Sequence, residues 1–240
     1  MKLGPNLHRI GNDIVAAYLV VTEGGITVID AGLPGHWRDL RSELAALGRP
    51  LTDIRGVILT HGDSDHIGFA ERLRRETGAP VFIHAADEAR ARGTERYKPA
   101  PGSTAGMRLG ATARFLSHSV RKLGWRTTYL TEVRPMADGD VLDLPGSPRI
   151  IGLPGHSPGS VAVHVPDAGA LFVGDALTTR NVLTGRTGLQ PAPFTDDPGQ
   201  ALSGLDQLSG LADVQWVLPG HGAPWQGEIS TLARQVRSAA

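Results

Sequence analysis

The chain has 240 residues, with 24 Lys plus Arg against 24 Asp plus Glu, and no cysteine. Balanced charge gives no overall field for nucleic acid or a membrane, and the length allows one large domain or two small ones with a sizeable core. Without cysteine there are no disulfides, thiolate metal sites or cysteine nucleophiles, so a metal must be held by histidine and carboxylate. Met1-Lys2-Leu3-Gly4-Pro5-Asn6 lacks the apolar run of a signal peptide, and the longest apolar run, Ile14 to Val21, is too short to span a bilayer. The expectation is a cytoplasmic protein with no transmembrane segment and no nucleic-acid partner.

In chain order, strands are predicted over 13–21 and 26–29, joined by Glu23-Gly24-Gly25, the second ending at Asp30-Ala31-Gly32. Leu40, Leu44 and Leu47 share one face of a helix over 37–47. A short strand at Val57-Ile58-Leu59 runs into Thr60-His61-Gly62-Asp63-Ser64-Asp65-His66. A helix over 67–77 and a strand over 81–84 follow. His61, Asp63, Asp65 and His66 thus fall on a strand-to-helix loop at a strand's carboxyl end, where α/β sheets bind ligands. Buried ionisable groups are costly unless paired or metal-bound, so this loop predicts a metal site. Alternating strands and helices of this size indicate an α/β layer arrangement.

Residues 96–131 contain seven basic residues (Arg96, Lys98, Arg108, Arg114, Arg121, Lys122, Arg126) and no acid. From Leu109, apolar residues recur at helical spacing through Ala113, Leu116, Val120 and Leu123. This predicts an inserted loop plus an amphipathic basic helix. Its role is open between a helix packed on the domain, a lid or wall attracting an anionic substrate, a dimer surface and a membrane-surface patch.

Three later strand ends each deliver one more donor. His156 lies in Pro154-Gly155-His156-Ser157-Pro158-Gly159, Asp175 ends the strand Leu171 to Val173, and His221 follows Trp216-Val217-Leu218-Pro219-Gly220. Seven nitrogen and oxygen donors suit two divalent ions sharing one bridging carboxylate. Gly25 to Leu33 also echoes Gly169 to Leu177: in both, a glycine opens an apolar strand that ends in an aspartate. A duplication would put both aspartates near one edge. Asp30 is expected to orient a ligand or the motif backbone rather than bind an ion. Arg180 and Arg186, which follow Asp175, and His36 in Pro34-Gly35-His36 are candidates for substrate contact.

With these residues in this order, the chain resembles the metallo-β-lactamase superfamily, whose hydrolases carry a His-x-His-x-Asp-His motif. The resemblance covers essentially the whole chain, from Ile29-Asp30-Ala31-Gly32 through 61–66 and His156 to Gly174-Asp175 and Pro219-Gly220-His221. It implies a single domain over 1–240, a four-layer αββα sandwich with a basic helical insertion at about 96–131. By resemblance, His61, position 63 and His156 hold one ion, Asp65, His66 and His221 hold the other, and Asp175 bridges. It further implies a hydrolase whose nucleophile is a hydroxide bridging the ions, oriented by Asp65, which can accept its proton. The expected substrate is a small molecule with an ester, thioester, lactone or related bond, and the basic segment hints at an acidic one. A two-domain glyoxalase II is disfavoured because only 19 residues follow His221. An iron-dependent oxidoreductase or oxygenase on this fold, a β-lactamase-like amide hydrolase and a catalytically lapsed metal-binding protein are the alternatives. A homodimer is compatible with all of them.

One position departs from the family pattern: the second motif histidine is Asp63. An aspartate oxygen and an imidazole Nδ1 both lie two bonds from Cβ, so reach is preserved. Charge is not, because Asp63, Asp65 and Asp175 bring three negative charges where the usual set brings two. The extra anion should weaken Lewis acidity, raise the pKa of bound water above the ~7 of activating zinc sites, and help harder metals compete. Two divalent ions are expected, zinc first, with iron or manganese as the alternative in the site that holds Asp63.

Overall fold

The computed structural model describes residues 1–95 and 99–240; Arg96 and Lys98 of the basic segment lie outside the described residues. Seven strands pair in chain order: β1 (Lys2–Gly4), β2 (Leu7–Gly11), β3 (Ala16–Thr22), β4 (Gly25–Ile29), β5 (Ile54–Ile58), β6 (Val81–His84) and β7 (Arg134–Met136). The first four run antiparallel, and β4 through β7 run parallel. The next strands are β8 (Arg149–Gly152), β9 (Val161–Val165), β10 (Ala170–Gly174), the hairpin β11 (Thr178–Arg180) and β12 (Thr187–Gln190), and β13 (Trp216–Pro219). A second sheet has the order β13-β10-β9-β8, with β10 and β13 parallel. Helices α1 (Trp37–Ala46), α2 (Ala70–Thr77), α3 (Glu88–Ala91), α4 (Leu109–Arg121), α5 (Pro198–Gly204) and α6 (Ile229–Arg237) complete the fold.

Strand β3 explains the layering. Its residues are apolar at consecutive positions because both faces are covered, unlike a strand with one wet face. Tyr18 and Val20 point toward the second sheet and pack with Ile150, Val163 and Phe172. Ala17 and Leu19 point the other way, into a core closed by Trp37, Leu40 and Leu44 of α1 and Leu73 of α2. The outer face of the second sheet buries Leu171, Val173 and Val217 against Leu232 and Val236 of α6. The architecture is therefore helix, sheet, sheet, helix. The Tyr18 hydroxyl donates to the Pro219 carbonyl at 2.7 Å, tying the sheets where the site forms.

Strand β3 starts at Ala16 rather than at 13 and β5 spans 54–58 rather than 57–59, and two helices also differ from the sequence reading. Helix α2 starts at Ala70 rather than at 67. The backbone N–H groups of Gly68 and Phe69 are taken by the carbonyls of Gly32 and Ala31 instead of by a helical turn. Gly68 is needed for that crossing, since a Cβ there would lie 2.2 Å from the Gly32 carbonyl oxygen. In α4, the apolar stripe at 109, 113, 116 and 120 faces solvent; the half-buried side carries Ala111, Phe115 and Ser119. Phe115 packs against a small core of Ile14, Val15, Leu33, Val182 and Leu183, which occupies a different face of the helix from the apolar repeat. Among the described residues, no helix is long and apolar enough to cross a membrane.

Candidate metal centre

Loops after β5, β8, β10 and β13 meet at one edge of the two sheets, and each brings its donors by a specific backbone device. Asp30, directly after β4, has φ of +58°, a conformation disfavoured for a residue with a side chain. It turns the carboxylate back onto the motif: Oδ1 accepts from the Thr60 backbone N–H at 2.8 Å, and Oδ2 lies 2.8 Å from His66 Nδ1. The Thr60 carbonyl in turn accepts from Val161 N–H, joining the motif loop to the second sheet. At the end of β10, Gly174 at φ +49° performs the equivalent turn and delivers Asp175.

Every histidine is held by one ring nitrogen and presents the other. His61 Nδ1 is 3.0 Å from Thr60 Oγ1, His156 Nδ1 is 3.3 Å from Thr195 Oγ1, and His221 Nδ1 contacts the Ile14 carbonyl oxygen. The Nε2 atoms point inward. That of His221 lies 3.1 Å from Asp175 Oδ2 and 3.5 Å from Asp65 Oδ2. His66 Nε2 is 3.6 Å from Asp175 Oδ1, and His156 Nε2 is 3.4 Å from Asp63 Oδ2 and 3.8 Å from Asp175 Oδ2. Three groupings bring their donor atoms within 4.8 Å of one another: His61-Asp63-His156, His61-His66-Asp175 and Asp65-His66-His221. Nε2 of His61, His66 and His156 and Oδ1 of Asp175 are buried with no hydrogen-bond partner. Buried polar atoms are normally satisfied, so this convergence of unsatisfied atoms suits a bound cation.

The electrostatics agree with the geometry. Burial opposes protonation of His66, but the Asp30 and Asp175 carboxylates push its pKa up to about 10. Burial and Asp175 and Asp65 act likewise on His221, raising it to about 9. His61 moves the other way, held below its ordinary value by burial and by His66. For Asp63, burial is outweighed by His156, His61 and Arg90, which keep its carboxyl well below the usual range. A site that accumulates protons or positive charge around fixed carboxylates is one that a cation can occupy in their place.

The site also contains side chains that the motif reading missed. Buried Arg90, on α3, donates from Nη1 to Asp63 Oδ1 at 3.1 Å, and its Nη2 pairs with Asp196. The Asp196 backbone N–H donates to the His156 carbonyl. Asp87, fully buried, accepts from Gly62 N–H, Ser157 Oγ and Gly159 N–H at 2.7–2.8 Å, locking the motif loop to the His156 loop. No local pattern marks Arg90 or Asp87; both sit in a short, charge-rich stretch that reads as a solvated face.

A cavity of about 800 Å³ opens over this cluster. Asp63, Asp65, His156, Asp175 and His221 line one side, and Leu33, Phe115, Val182 and Phe194 line another. The three residues expected to touch substrate lie elsewhere. Arg180 lines a separate cleft with Asp13 and Trp225, because the β11–β12 pair carries it away from the donors. Arg186 is exposed beside that hairpin. His36 is buried, its Nδ1 accepting from Leu33 N–H at 3.0 Å.

The family model described as the metallo-beta-lactamase superfamily matches residues 10–221. The chain is 30% identical over 225 residues to the probable metallo-hydrolase YflN of Bacillus subtilis, covering 88% of this chain and 82% of that protein. It is 30% identical over 184 residues to a hydroxyacylglutathione hydrolase of Rhodobacter capsulatus, covering 75% of this chain and 54% of that enzyme. Among solved structures, a metallo-beta-lactamase family protein of Thermus thermophilus, TTHA1429, superposes with a TM-score of 0.70 at 26% identity, covering 99% of this chain and 80% of that one. TTHA1623, solved in a di-iron-bound form, superposes with a TM-score of 0.64 at 28% identity over 98% and 97% of the two chains.

Proposed function

The chain belongs to the metallo-beta-lactamase superfamily, and on that premise we propose that it is a two-metal hydrolase of an ester, thioester or lactone bond in a small substrate. The observation that carries this reading is the set of buried, unpartnered atoms, Nε2 of His61, His66 and His156 and Oδ1 of Asp175, converging at and beneath the cavity that His156 and Asp175 line. His61, Asp63 and His156 would hold one ion, Asp65, His66 and His221 the other, and Asp175 has an oxygen for each. When bound, the ions supply Lewis acidity to a substrate carbonyl and to water at neutral pH.

The chain's own residues do the rest. Thr60, Asp30, Thr195 and the Ile14 carbonyl fix each imidazole so that Nε2 faces the centre. Asp65, partly exposed at the cavity, orients the attacking water and takes its proton. Leu33, Phe115, Val182 and Phe194 give the acyl or alcohol portion an apolar wall and limit stray water. The likeness to hydroxyacylglutathione hydrolases supports acyl transfer to water as the reaction class.

Arg90 changes the metal question raised by Asp63. With Oδ1 engaged by the guanidinium, Asp63 offers Oδ2 alone, and the local charge of the donor set returns toward that of a histidine at this position. Zinc is therefore the proposed metal. A harder ion at the Asp63 position is the second reading, supported by the extra carboxylate and by the likeness to a di-iron-bound protein. Elemental analysis after purification without added metal is expected to find about two ions per chain, without visible absorption if both are zinc. Asp65→Ala, which removes one donor of the second ion, should keep the first ion, weaken the second and lose turnover on a panel of esters, thioesters and lactones. Less than one ion per chain, or an active Asp65→Ala, would sink the proposal.

A further inference from the structure

Helix α4 has three faces rather than two. One lines the cavity through Phe115 and Ser119. The second is an apolar stripe of Leu109, Ala113, Leu116 and Val120, spaced i, i+4, i+7, i+11, in which Leu109 is 90%, Leu116 56% and Val120 63% exposed. The third, beside it, carries Arg114 and Arg121, one heptad apart and both exposed. Just past the helix, in the turn Gly124–Arg126, Trp125 is also exposed, at 71%, with the Arg126 guanidinium over its ring. Large apolar side chains gathered on one exposed face mark a contact surface rather than ordinary surface composition.

The charge around the stripe says what kind of contact. Over residues 99–131 there is no acidic residue. Lys122 is already paired with Asp39 at 2.6 Å, whereas Arg108, Arg114, Arg121 and Arg126 form no ion pair with an acid among the described residues. A second copy laid on this face would set arginine against arginine. An anionic lipid surface offers what the face lacks: negative charge at headgroup depth and an apolar layer beneath for leucine, valine and tryptophan.

We infer that α4 and the turn carrying Trp125 form an interfacial docking surface for membranes containing anionic lipid. The inference is independent of the hydrolase reading, because it concerns the outer faces of α4 and not the metal donors. It gives the neutral chain a local basic face and places a cavity wall at the lipid surface.

The test uses the full-length protein and sedimentation with vesicles of phosphatidylcholine alone or mixed with phosphatidylglycerol. Binding to the anionic vesicles is expected to exceed binding to the neutral ones by at least about tenfold and to fall in high salt. Leu116→Glu with Val120→Glu should lose at least about tenfold of that binding while keeping the circular dichroism spectrum and melting temperature, since both positions are exposed. Arg114→Ser with Arg121→Ser should erase the preference for anionic lipid. No binding to anionic vesicles at low salt overturns the inference. So does binding that the glutamate pair leaves unchanged, which would be charge contact without insertion. A dimer in sedimentation velocity that the glutamate pair dissolves would give the face to a second copy and overturn it as well.

Discussion

Arg90 and Asp63 are best understood as one unit. The guanidinium is buried, with one nitrogen on Asp63 and the other on Asp196, so removing either partner strands a charge away from water. Asp63→His by itself would leave Arg90 facing an imidazole. It is therefore expected to destabilise the metal-free protein, and Arg90→Gln to do the same. The double variant should cost less than the sum, with a coupling of about 1–3 kcal/mol in a urea-unfolding cycle. Strict additivity would mean that the pair is not formed in solution. In zinc titrations the double variant should bind more tightly than Asp63→His alone. The clustering of the candidate donors is legible in sequence because they share a loop or follow a strand end, where local pattern and burial cost speak together. Arg90, Asp87 and Thr195 are not, because each acts on residues 20 or more positions away, and a lone arginine beside Glu88 and Arg92 looks like any helix surface.

The strand ends work because glycine lets them crowd. At Gly220, between β13 and His221, an added Cβ would lie 2.3 Å from His66 Cε1 and 2.6 Å from Asp175 Oδ1. Gly220→Ala is thus expected to displace the His66 ring while leaving the sheets intact. Isothermal titration should show zinc affinity lowered by at least about tenfold, with an unfolding cost of about 1–3 kcal/mol. Unchanged affinity would show that the loop relaxes freely. The elements were readable where a strand covered on both faces leaves a continuous apolar run, as in β3, or where one side of a helix meets the core, as in α1. Periodicity failed in two places. It extended α2 by three residues, because a backbone crossing at Gly68 competes for the same N–H groups. In α4 it found the apolar repeat but not its direction, since a 3.6-residue period is the same whether the stripe faces a core or solvent.

The two halves of the molecule converge on one imidazole. The strands β4 and β10, whose sequences echo each other, end in Asp30 and Asp175, and these aspartates flank opposite nitrogens of His66 at 2.8 and 3.6 Å. That arrangement sets how the whole fold responds to pH. His66 and His221 have pKa values near 10 and 9, above the ordinary 6.5. In the metal-free protein their protons stabilise the fold fully below about pH 6.5, and this contribution is lost as pH rises through about 9 and 10. Zinc held as proposed would need both rings neutral, so it would take the place of those protons. Thermal melts in chelator should show a falling melting temperature between pH 7 and 10, and saturating zinc should flatten that slope. A flat profile in chelator would show that neither ring holds its proton.

The contact between His221 and the Ile14 carbonyl spans 207 positions of sequence. Ala16 N–H likewise donates to the Gly220 carbonyl, so the start of β3 holds the loop that carries His221 in place. During synthesis, most of both sheets must leave the ribosome before this closure can form. The newborn chain therefore exposes the 61–66 loop long before His221 can join it, and the cluster is completed only when the last strand has been made.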